Sequence, residues 1–518
     1  QDNKKGYDFF LMYLTSGKSS LFADSEIKSS KDTMIMRMAN DPGTVDLLTV
    51  SSYESTGLYS MVGNSLLSSI RDEESGSYAW VVNDKYSLAE SYDIAEDQLS
   101  VVFHLRHGVK FHNGKEFTAE DAVYSISRYN NAKYSFIDFD NLSALSDYEL
   151  YVPFTKIDAS AVISLGGIVM CCKEAIEADP GNTLNWSKNF IGTGAYKISK
   201  WIDGDSVTLK ANADYWAGKP YIDTIIVRFI SESTTAFMEM ETGNIDVLDN
   251  PNWSSVKAVD AGDYEGLIKH FSAIDRAAMH LGFNCSENSP FSNLLVREAV
   301  CYAIDREELN YGAYEGVAET CDTIVSLVYE DVRHYGDAWP YHRDIEKAKE
   351  LLEEAGYPNG FNAVIINYGD SADVLANQIL KNQLADIGIN LSIESYDTAT
   401  WQSIMSEQTQ GWDLWLRNYT STGSFTKWIK NTVTQNTHVS SENDPSFGEL
   451  YELCNQALGT LDRNERASVH EIIQDRWFQE WLYTYCINQR TLHILYADNL
   501  QGVERYGYYW YMLNAYFD

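Results

Sequence analysis

Three histidines that lie close together in the sequence suggest a metal site: His104, His107 and His112. Proteins that bind metals through histidine place the ligands at defined spacings, such as the HExxH pattern on a helix. No such spacing is present, and the surrounding residues alternate as in a β-hairpin, where histidines are usually polar surface residues. The sequence therefore predicts neither a bound metal nor a cofactor.

Two segments approach the phosphate-binding loop pattern without meeting its requirements. Residues 108–115 form a loop that is one residue too long, and Glu116 stands where Ser or Thr would hold magnesium. Gly17-Lys18-Ser19 has the right ending, but Met12 occupies the position of the first glycine. No GxSxG nucleophile motif is present. The chemistry-bearing residues thus give no reason to predict an enzyme.

The charge of the chain excludes one class of partner. The 518 residues include 75 acidic and 39 basic side chains, which gives a formal charge of −36. Such a field repels phosphate backbones, so no nucleic acid is expected as a partner. No apolar run approaches the roughly 20 residues of a membrane span. The 35 tyrosines and 13 tryptophans suit a pocket that stacks on a ligand.

Local patterns indicate a mixed α/β protein. Residues 33–38 alternate as a strand, residues 101–114 predict a strand–turn–strand unit, and Thr118 can cap a helix with Asp121 three residues on. By charge, Arg106 and Asp121 are expected to pair near this hairpin. Asp344 can cap a second helix, which Gly356 and Pro358 end. A strand at residues 363–366, a helix at 375–387 and a strand at 389–393 complete a β-α-β unit. A chain of this length is expected to form two or three lobes.

Short motifs follow one another in a characteristic order. The most specific are FHLRHGVKFHNG at residues 103–114 and FTAEDAVY at residues 117–124. Others stand at residues 88–94, 192–196, 212–220, 221–227, 240–246, 290–292 and 296–306. In this order they resemble the extracytoplasmic solute-binding proteins of ABC importers, in the peptide, opine and nickel-binding family (family 5). The resemblance runs from about residue 33 to the end of the chain.

The resemblance implies a large bilobal fold of the periplasmic-binding-protein type, with three domains. Residues 1–32 would be an N-terminal tether or extension, and domain I would combine residues 33–55, 193–275 and 485–518. Domain II would be residues 56–192 and domain III residues 276–484. A small solute would be enclosed between domains I and III as they close about a hinge, and delivered to an ABC transporter permease. The protein is expected to be an extracytoplasmic monomer, either a cell-surface lipoprotein or periplasmic.

The resemblance also implies which residues contact the solute. In peptide-binding members the segment after the first strand takes part, and here it contains Ser51 and Tyr53. A tryptophan of the third domain corresponds to Trp401. The family's central motif is an Asp-led strand, then an aromatic residue, Asp-Tyr and a proline; it corresponds to residues 413–423. The candidates within this motif are Arg417, Asn418, Tyr419, Thr420 and Thr422.

The central motif departs from the pattern of peptide binders. Thr422 stands where those proteins place the aspartate that pairs with a free α-ammonium group, and Gly423 replaces the following tyrosine. A buried ammonium group needs a counter-charge, so a peptide recognised by its free amino terminus becomes a less suitable ligand. Arg417 instead suits an anionic or polyhydroxylated ligand, unless it points into solvent.

Three further candidates fall near the last crossing into the first domain, where they would line the cleft or pack the hinge: Tyr483, Tyr485 and Asn488. Two other functions remain open at this point. One is a secreted hydrolase acting on glycans or peptides, which the acidity and aromatic content allow. The other is a sensor subunit that presents its ligand to a membrane receptor.

Overall fold

The chain folds into two compact units. The computed structural model describes residues 28–48, 52–71, 78–131, 134–178, 188–316, 318–326, 329, 332–367, 371–406, 411–420, 425–440, 444–460 and 462–518. Unit 1 consists of the described residues up to Ala273 together with Leu492–Asp518, and unit 2 consists of those in Ile274–Thr491. Among the described residues, no helix combines the length and apolar character that crossing a membrane requires.

The strands are, in chain order, β1 Thr33–Met38, β2 Ser68–Arg71, β3 Tyr78–Val81, β4 Ala89–Ile94, β5 Ser100–Leu105, β6 Ser143–Ser146, β7 Glu149–Pro153, β8 Tyr196–Ile202, β9 Ser206–Ala211, β10 Thr224–Phe229, β11 Val247–Asp249, β12 Ile268–Phe283, β13 Glu319–Thr320, β14 Phe361–Asn367, β15 Ile389–Ser395, β16 Leu414–Thr420, β17 Thr484–Ala497, β18 Leu500–Gln501, β19 Glu504–Tyr506, β20 Tyr509–Tyr511 and β21 Tyr516–Phe517. The chain leaves unit 1 within β12 and returns to it within β17.

The α-helices are α1 Tyr53–Val62, α2 Ala119–Ser127, α3 Ala161–Leu165, α4 Lys173–Glu177, α5 Ser233–Glu241, α6 Trp253–Asp260, α7 Leu294–Ala303, α8 Arg306–Tyr314, α9 Ile345–Glu354, α10 Ser371–Ala385, α11 Thr398–Ser406, α12 Phe425–Asn436, α13 Pro445–Leu458 and α14 Arg463–Arg476. Short 3-10 turns occupy Pro290–Ser292 and Gly336–Ala338, and a π-helical segment follows α14 at Trp477–Trp481.

Unit 1 contains a mixed sheet and an antiparallel sheet. In the mixed sheet, β1 pairs in parallel with β10 and β11, while β9 pairs antiparallel with both β10 and β8. The antiparallel sheet has the order β4-β5-β7-β6. Each sheet has its own apolar core: Met34, Met36 and Met38 of β1 belong to one, and Phe103 of β5 belongs to the other.

Unit 2 is built on the β-α-β arrangement that the sequence predicts. Strands β14 and β15 pair in parallel from Phe361↔Ile389 onward, and helix α10 connects them. Strand β16 pairs in parallel with β14 on one side and antiparallel with β12 on the other. The main apolar core lies around these strands and helices α7, α10 and α12–α14. The start of β16 is therefore held between two neighbouring strands, while its end, residues 417–420, pairs with β12.

Several local predictions are confirmed. Thr118 and Asp121 form the capping box of α2, and the Asp344 side chain accepts a hydrogen bond from the Lys347 N–H at the start of α9. Val101, Phe103 and Leu105 of β5 are buried, as the alternation predicts. These signals involve residues that are close in sequence, which is why a single sequence reveals them.

One expected contact near the hairpin is wrong. Arg106 and Asp121 are plausible partners by charge, yet Asp121 pairs with Lys115 at 2.9 Å. The Arg106 guanidinium instead lies 4.1 Å from the centre of the Trp216 ring and forms an ion pair with Glu90. Burial of Asp121 at the start of α2 selects the lysine, which reaches the carboxylate from the adjacent turn.

The limits of the three predicted domains stay predictions. Residues 1–27 of the predicted tether lie outside the described residues. Within residues 28–32, the Ser30 N–H donates to the Phe517 carbonyl at 2.9 Å and Lys31 pairs with Asp246 at 2.7 Å. This part of the segment is thus bound to the body of unit 1.

Candidate functional site

The clustered histidines of unit 1 make separate contacts. His104 lies on a partly exposed face of the antiparallel sheet, with its Nε2 atom 2.8 Å from an Asp93 carboxylate oxygen. The His107 ring stacks on Tyr148 with the ring centres 3.7 Å apart. Among the described residues, no three His, Cys, Asp or Glu side chains are grouped as a metal ion would require. The absence of a bound metal stays a prediction.

His112 has a structural role that its chemistry explains. Its Nε2–H donates to the Gly194 carbonyl at 3.1 Å, and its Nδ1 accepts from the Gly192 N–H at 3.3 Å. This arrangement needs the neutral ring, with one nitrogen donating and the other accepting. Burial accordingly lowers the pKa of His112 to about 4. The ring thereby joins the hairpin to the loop before β8.

In unit 2, Arg417 and Trp401 lie together. The Arg417 guanidinium lies 4.4 Å from the centre of the Trp401 ring, a distance at which cation–π attraction operates. Trp401 is buried on α11 in an aromatic group with Trp412 and Trp415. Arg417 is only partly buried. A fixed indole therefore holds a partly exposed cation, and Asn418 follows it directly in the strand. We call Trp401 and Arg417 the β16 patch.

His280 lies beside Arg417. The two residues are directly opposite each other in the β12–β16 ladder, and the His280 ring lies 4.4 Å from that of Trp428. His280 is fully buried, and neither ring nitrogen finds a hydrogen-bond partner among the described residues. Burial, and then the positive charge of Arg417, lower the pKa of His280 to about 3. The ring is therefore neutral at physiological pH.

Asn418 points to the other face of the strand, because successive side chains in a strand alternate. It is opposite Met279 in the ladder, and its Nδ2 donates to Asp373 Oδ1 at 3.0 Å. The Tyr314 hydroxyl donates to the same oxygen at 2.8 Å. The structure therefore groups Arg417 with Trp401. Asn418 belongs to a separate polar group around the carboxylate of Asp373, a residue of α10.

Some candidates can be located only in part. The backbones of Tyr419 and Thr420 belong to β16 and lie opposite Ala278 and Ala277. Their side chains fall outside the described residues, and so do Ser51 and Thr422 as a whole. Their proposed contacts with the solute stay predictions.

Tyr53 begins α1 in unit 1, after the Ser52 cap. Its hydroxyl donates to Asp249 Oδ1 at 2.5 Å, and the Arg505 guanidinium lies 4.9 Å from the centre of its ring. Tyr508 meets the ring edge-on at 4.9 Å. The ring is partly exposed. Tyr53 thus combines a fixed orientation with an accessible face, as a ligand-contacting aromatic residue requires.

The last candidates lie in the interior of unit 2. Tyr483 is fully buried and donates its hydroxyl to Asp444 Oδ2 at 2.8 Å. Tyr485 is buried too, and its hydroxyl accepts from Trp339 Nε1 at 3.3 Å. Burial raises the pKa of both phenols. Asn488 is buried beside β13, and its Nδ2 finds no acceptor among the described residues. These contacts favour the packing alternative for the two tyrosines.

Sequence reasoning missed the partners that hold the candidates in place, namely Asp249, Arg505, His280, Asp373 and Tyr314. Asp249 and Arg505 are 256 positions apart, so no local pattern relates them. His280 alone had a usable signal, since it is a polar residue within the apolar run of β12.

Comparison with known proteins gives a consistent result. The profile described as bacterial extracellular solute-binding proteins, family 5 Middle, matches residues 85–440. Heme-binding protein A of Haemophilus influenzae is 26% identical over 423 residues, 75% of this chain and 76% of that protein. Glutathione-binding protein GsiB of Shigella dysenteriae is 26% identical over 412 residues, 76% of this chain and 79% of that protein.

A solved structure agrees in fold. The ABC transporter-associated periplasmic binding protein DppA of Helicobacter pylori, in complex with the peptide STSA, matches with a TM-score of 0.75 at 22% identity. The match covers 94% of this chain and 98% of that one, which shows the bilobal periplasmic-binding-protein fold. Together with the match of the family profile, this establishes the class. The chain belongs to family 5 of the bacterial extracellular solute-binding proteins, and it is an extracytoplasmic substrate-binding component of an ABC transporter rather than an enzyme.

Proposed function

We propose that the end of β16 binds the solute in unit 2, and that the solute is anionic or polyhydroxylated rather than a peptide recognised by its free amino terminus. The observation that carries this proposal is the Arg417 guanidinium held 4.4 Å from the centre of the buried Trp401 ring. A guanidinium oriented by an aromatic face offers planar donors to carboxylates and hydroxyl groups. Tyr419, Thr420 and Thr422 would add contacts from the same end of the strand.

Two further features support this choice of ligand. His280, opposite Arg417, has two buried ring nitrogens that no described residue satisfies, and buried polar atoms generally need partners such as water or a ligand. Asp373, an acid on the Asn418 side of β16, already accepts hydrogen bonds from Asn418 and Tyr314. Position 422 holds a neutral threonine. A free α-ammonium group would therefore have to displace existing donors to obtain a counter-charge.

The experiment begins with a thermal-shift screen of free and N-acetylated peptides, oligosaccharides, sugar acids, glutathione and haem. Calorimetry then compares the wild type with Arg417→Ala, Tyr419→Ala and an Arg343→Ala control. Arg343 is an arginine of unit 2 in a solvent-exposed ion pair with Asp386. We expect the first two substitutions each to weaken the best ligand by more than tenfold, since buried anchors typically contribute about 2 kcal/mol or more. Unchanged affinity in Arg417→Ala would refute the assignment.

Trp401→Ala is also expected to weaken binding by more than tenfold, but it is a less selective test. The ring is packed against Ile366, Met405, Trp412 and Trp415, so truncating it also removes core contacts. Trp401→Phe keeps an aromatic face of smaller area. It should lose less stability than Trp401→Ala while still weakening the arginine–aromatic contact.

The protein is further proposed to act as a monomer that meets its permease from a lipid anchor or as a free periplasmic protein. The formal charge of −36 supports the monomer, because strong like charge opposes self-association. Light scattering of the purified protein tests the oligomeric state, and a dimer would contradict it. Fatty-acid labelling in cells that make the native chain distinguishes the two forms of localisation.

A further inference from the structure

Unit 1 contains two buried arginines that both contact Asp249, one through its backbone carbonyl and the other through its carboxylate. Arg37 and Arg505 are 1% and 5% exposed, and Asp249 between them is 1% exposed. We call these three residues the buried arginine cluster. The acidic residues Asp249, Glu54 and Glu232 all act on the charge of Arg37, whereas Arg505 forms its ion pair with Asp249. Charges that are removed from water require compensation from partners of the opposite sign.

Arg37 needs no further partner. Its Nε donates to the Ile230 carbonyl at 2.7 Å, and its Nη2 donates to the Ser231 carbonyl at 2.8 Å. Its Nη1 donates to the carbonyls of Asp249 at 2.6 Å and Asn250 at 3.3 Å. All three guanidinium nitrogens of Arg37 thus donate to backbone carbonyl oxygens. The carboxylate of Asp249 remains available for Arg505.

Arg505 is satisfied on two of its three nitrogens. Nη1 donates to Asp249 Oδ1, and Nε donates to the Gly507 carbonyl at 3.1 Å. Nη2 has no acceptor among the described residues, although it is buried. A buried donor without an acceptor loses its hydration and gains nothing in return. This nitrogen can therefore donate to a further acceptor, such as an anion or a polar ligand.

The rings around Arg505 define the surroundings of this nitrogen. The guanidinium lies 4.6 Å from the centre of the Trp510 ring and 4.9 Å from that of Tyr53. Trp510 is fully buried, and its Nε1 is a second donor without an acceptor in the described part of the chain. Tyr53 is partly exposed and stands at the first position of α1. Arg505 Nη2 and Trp510 Nε1 are thus two donors without an acceptor among the described residues, and they belong to side chains in contact with each other. The partly exposed ring of Tyr53 also contacts Arg505.

We propose that Arg505, with Trp510 and Tyr53, forms a carboxylate-binding subsite of unit 1, and that the solute of this protein carries a carboxylate. A carboxylate accepts charge-assisted hydrogen bonds from a guanidinium, and in this site it would accept from Arg505 Nη2. Asp249 holds Arg505 in place from one side, while the Tyr53 hydroxyl, 2.5 Å from Asp249 Oδ1, orients that aspartate. The proposal rests on the solute-binding function, but not on the β16 patch.

The test uses acetate as the probe, because it is the smallest carboxylate. Thermal unfolding is measured in sodium acetate, in sodium chloride and with acetamide, all at one ionic strength. We expect acetate to raise the melting temperature of the wild type by about 2 °C once it exceeds its dissociation constant about tenfold. Acetamide, which has the shape of acetate without its charge, should have no such effect.

Three variants separate the sites. Arg505→Gln should abolish the acetate effect, whereas the control Arg106→Gln should keep it, because Arg106 lies on Trp216 in an equivalent aromatic contact. Arg417→Ala should also keep the effect, so failure of the β16 patch and failure of this subsite are distinguishable. An acetate effect that persists in Arg505→Gln would overturn the proposal.

A second measurement does not depend on a variant that folds. Wild-type crystals soaked in sodium bromide are expected to show an anomalous peak beside Arg505 Nη2, and soaking with acetate should displace it. An ordered water that bromide and acetate leave in place would overturn the proposal. A bromide peak that acetate does not displace would mean an adventitious ion only, and would overturn it too.

Discussion

Two arginines of this protein lie against aromatic rings, one in each unit, and their surroundings differ. Arg505 of unit 1 is buried between Tyr53 and Trp510 and donates to Asp249. Arg417 of unit 2 is only partly buried against Trp401. Burial lowers the pKa of Arg505 to about 9, because the buried guanidinium loses the water that would stabilise its charge. An internal carboxylate is therefore required at Arg505, while water can stabilise the charge of Arg417.

Arginine thus performs two different tasks in this protein. An arginine within the protein is fixed by a counter-charge, so removing that counter-charge should mainly change stability. An arginine at a partly exposed position can lose its side chain with little effect on the core and should mainly change binding. The following substitutions separate these two outcomes.

The largest effect is expected for Asp249→Asn. The substitution removes the carboxylate that pairs with the buried Arg505 while keeping the size of the side chain. The bond from Arg37 to the Asp249 backbone carbonyl stays. Breaking a buried ion pair on one side typically costs about 3–5 kcal/mol. We expect a loss of this size in the free energy of unfolding, measured by urea titration. Asp386→Asn is the matched control, because its exposed pair with Arg343 is typically worth less than about 1 kcal/mol. Equal losses in both variants would contradict the role of Asp249.

A smaller effect is expected from pH, through His280 of unit 2. The folded protein protonates this ring only near pH 3, because burial lowers its pKa to about 3, whereas the unfolded chain protonates it near the ordinary pKa of about 6.5. Unfolding therefore takes up a proton between these values, and stability falls as the pH falls through this window. The slope is about 1.4 kcal/mol per pH unit at most.

His280→Phe should remove this contribution. Between pH 7 and pH 5, the wild type should lose about 2 kcal/mol more of its unfolding free energy than His280→Phe does. His112 of unit 1, with a pKa lowered to about 4, is unchanged in both proteins and adds the same slope to each. His342→Gln, at an exposed position, serves as the control. Parallel pH profiles for the wild type and His280→Phe would show that the buried ring does not have a lowered pKa.

The smallest effect is expected for Asn418→Ala. It removes one hydrogen bond to Asp373, while the Tyr314 hydroxyl still donates to the same carboxylate oxygen. One such bond contributes about 1 kcal/mol. Asn390→Ala, at an exposed position of β15, is the control, and its unfolding free energy should change by less than about 0.5 kcal/mol. A loss above about 3 kcal/mol in Asn418→Ala would mean that Asn418 is part of a larger buried network.

The parts of the fold that the sequence predicts depend on neighbours in the chain. The capping box of Thr118 and Asp121 and the β-α-β unit of β14, α10 and β15 follow from local spacing. The motif order predicted the family because it samples most of the chain. By contrast, charge alone suggested a pair of Arg106 with Asp121, and the packing of each residue selected other partners.

The candidate site was predicted unevenly for the same reason. Alignment with the family's central motif located β16, and the structure places Arg417 of that strand against Trp401. The motif alone could not show that Arg417 and Asn418 face opposite sides of β16, since that depends on the register with β12. Nor could it show that Tyr483 lies in the core, because tyrosine is common both in cores and in binding sites.

The choice of ligand is tested most directly by calorimetric titration of the wild type with matched peptides. Di- to pentapeptides are used in pairs, one with a free amino terminus and one acetylated. We predict no tight binding of either member, because Thr422 is neutral and Asp373 already accepts from Asn418 and Tyr314. Submicromolar affinity for the free peptides that acetylation abolishes would contradict the proposed ligand class. Loss of that affinity in Asp373→Asn would then identify the acid that takes the place of the missing aspartate.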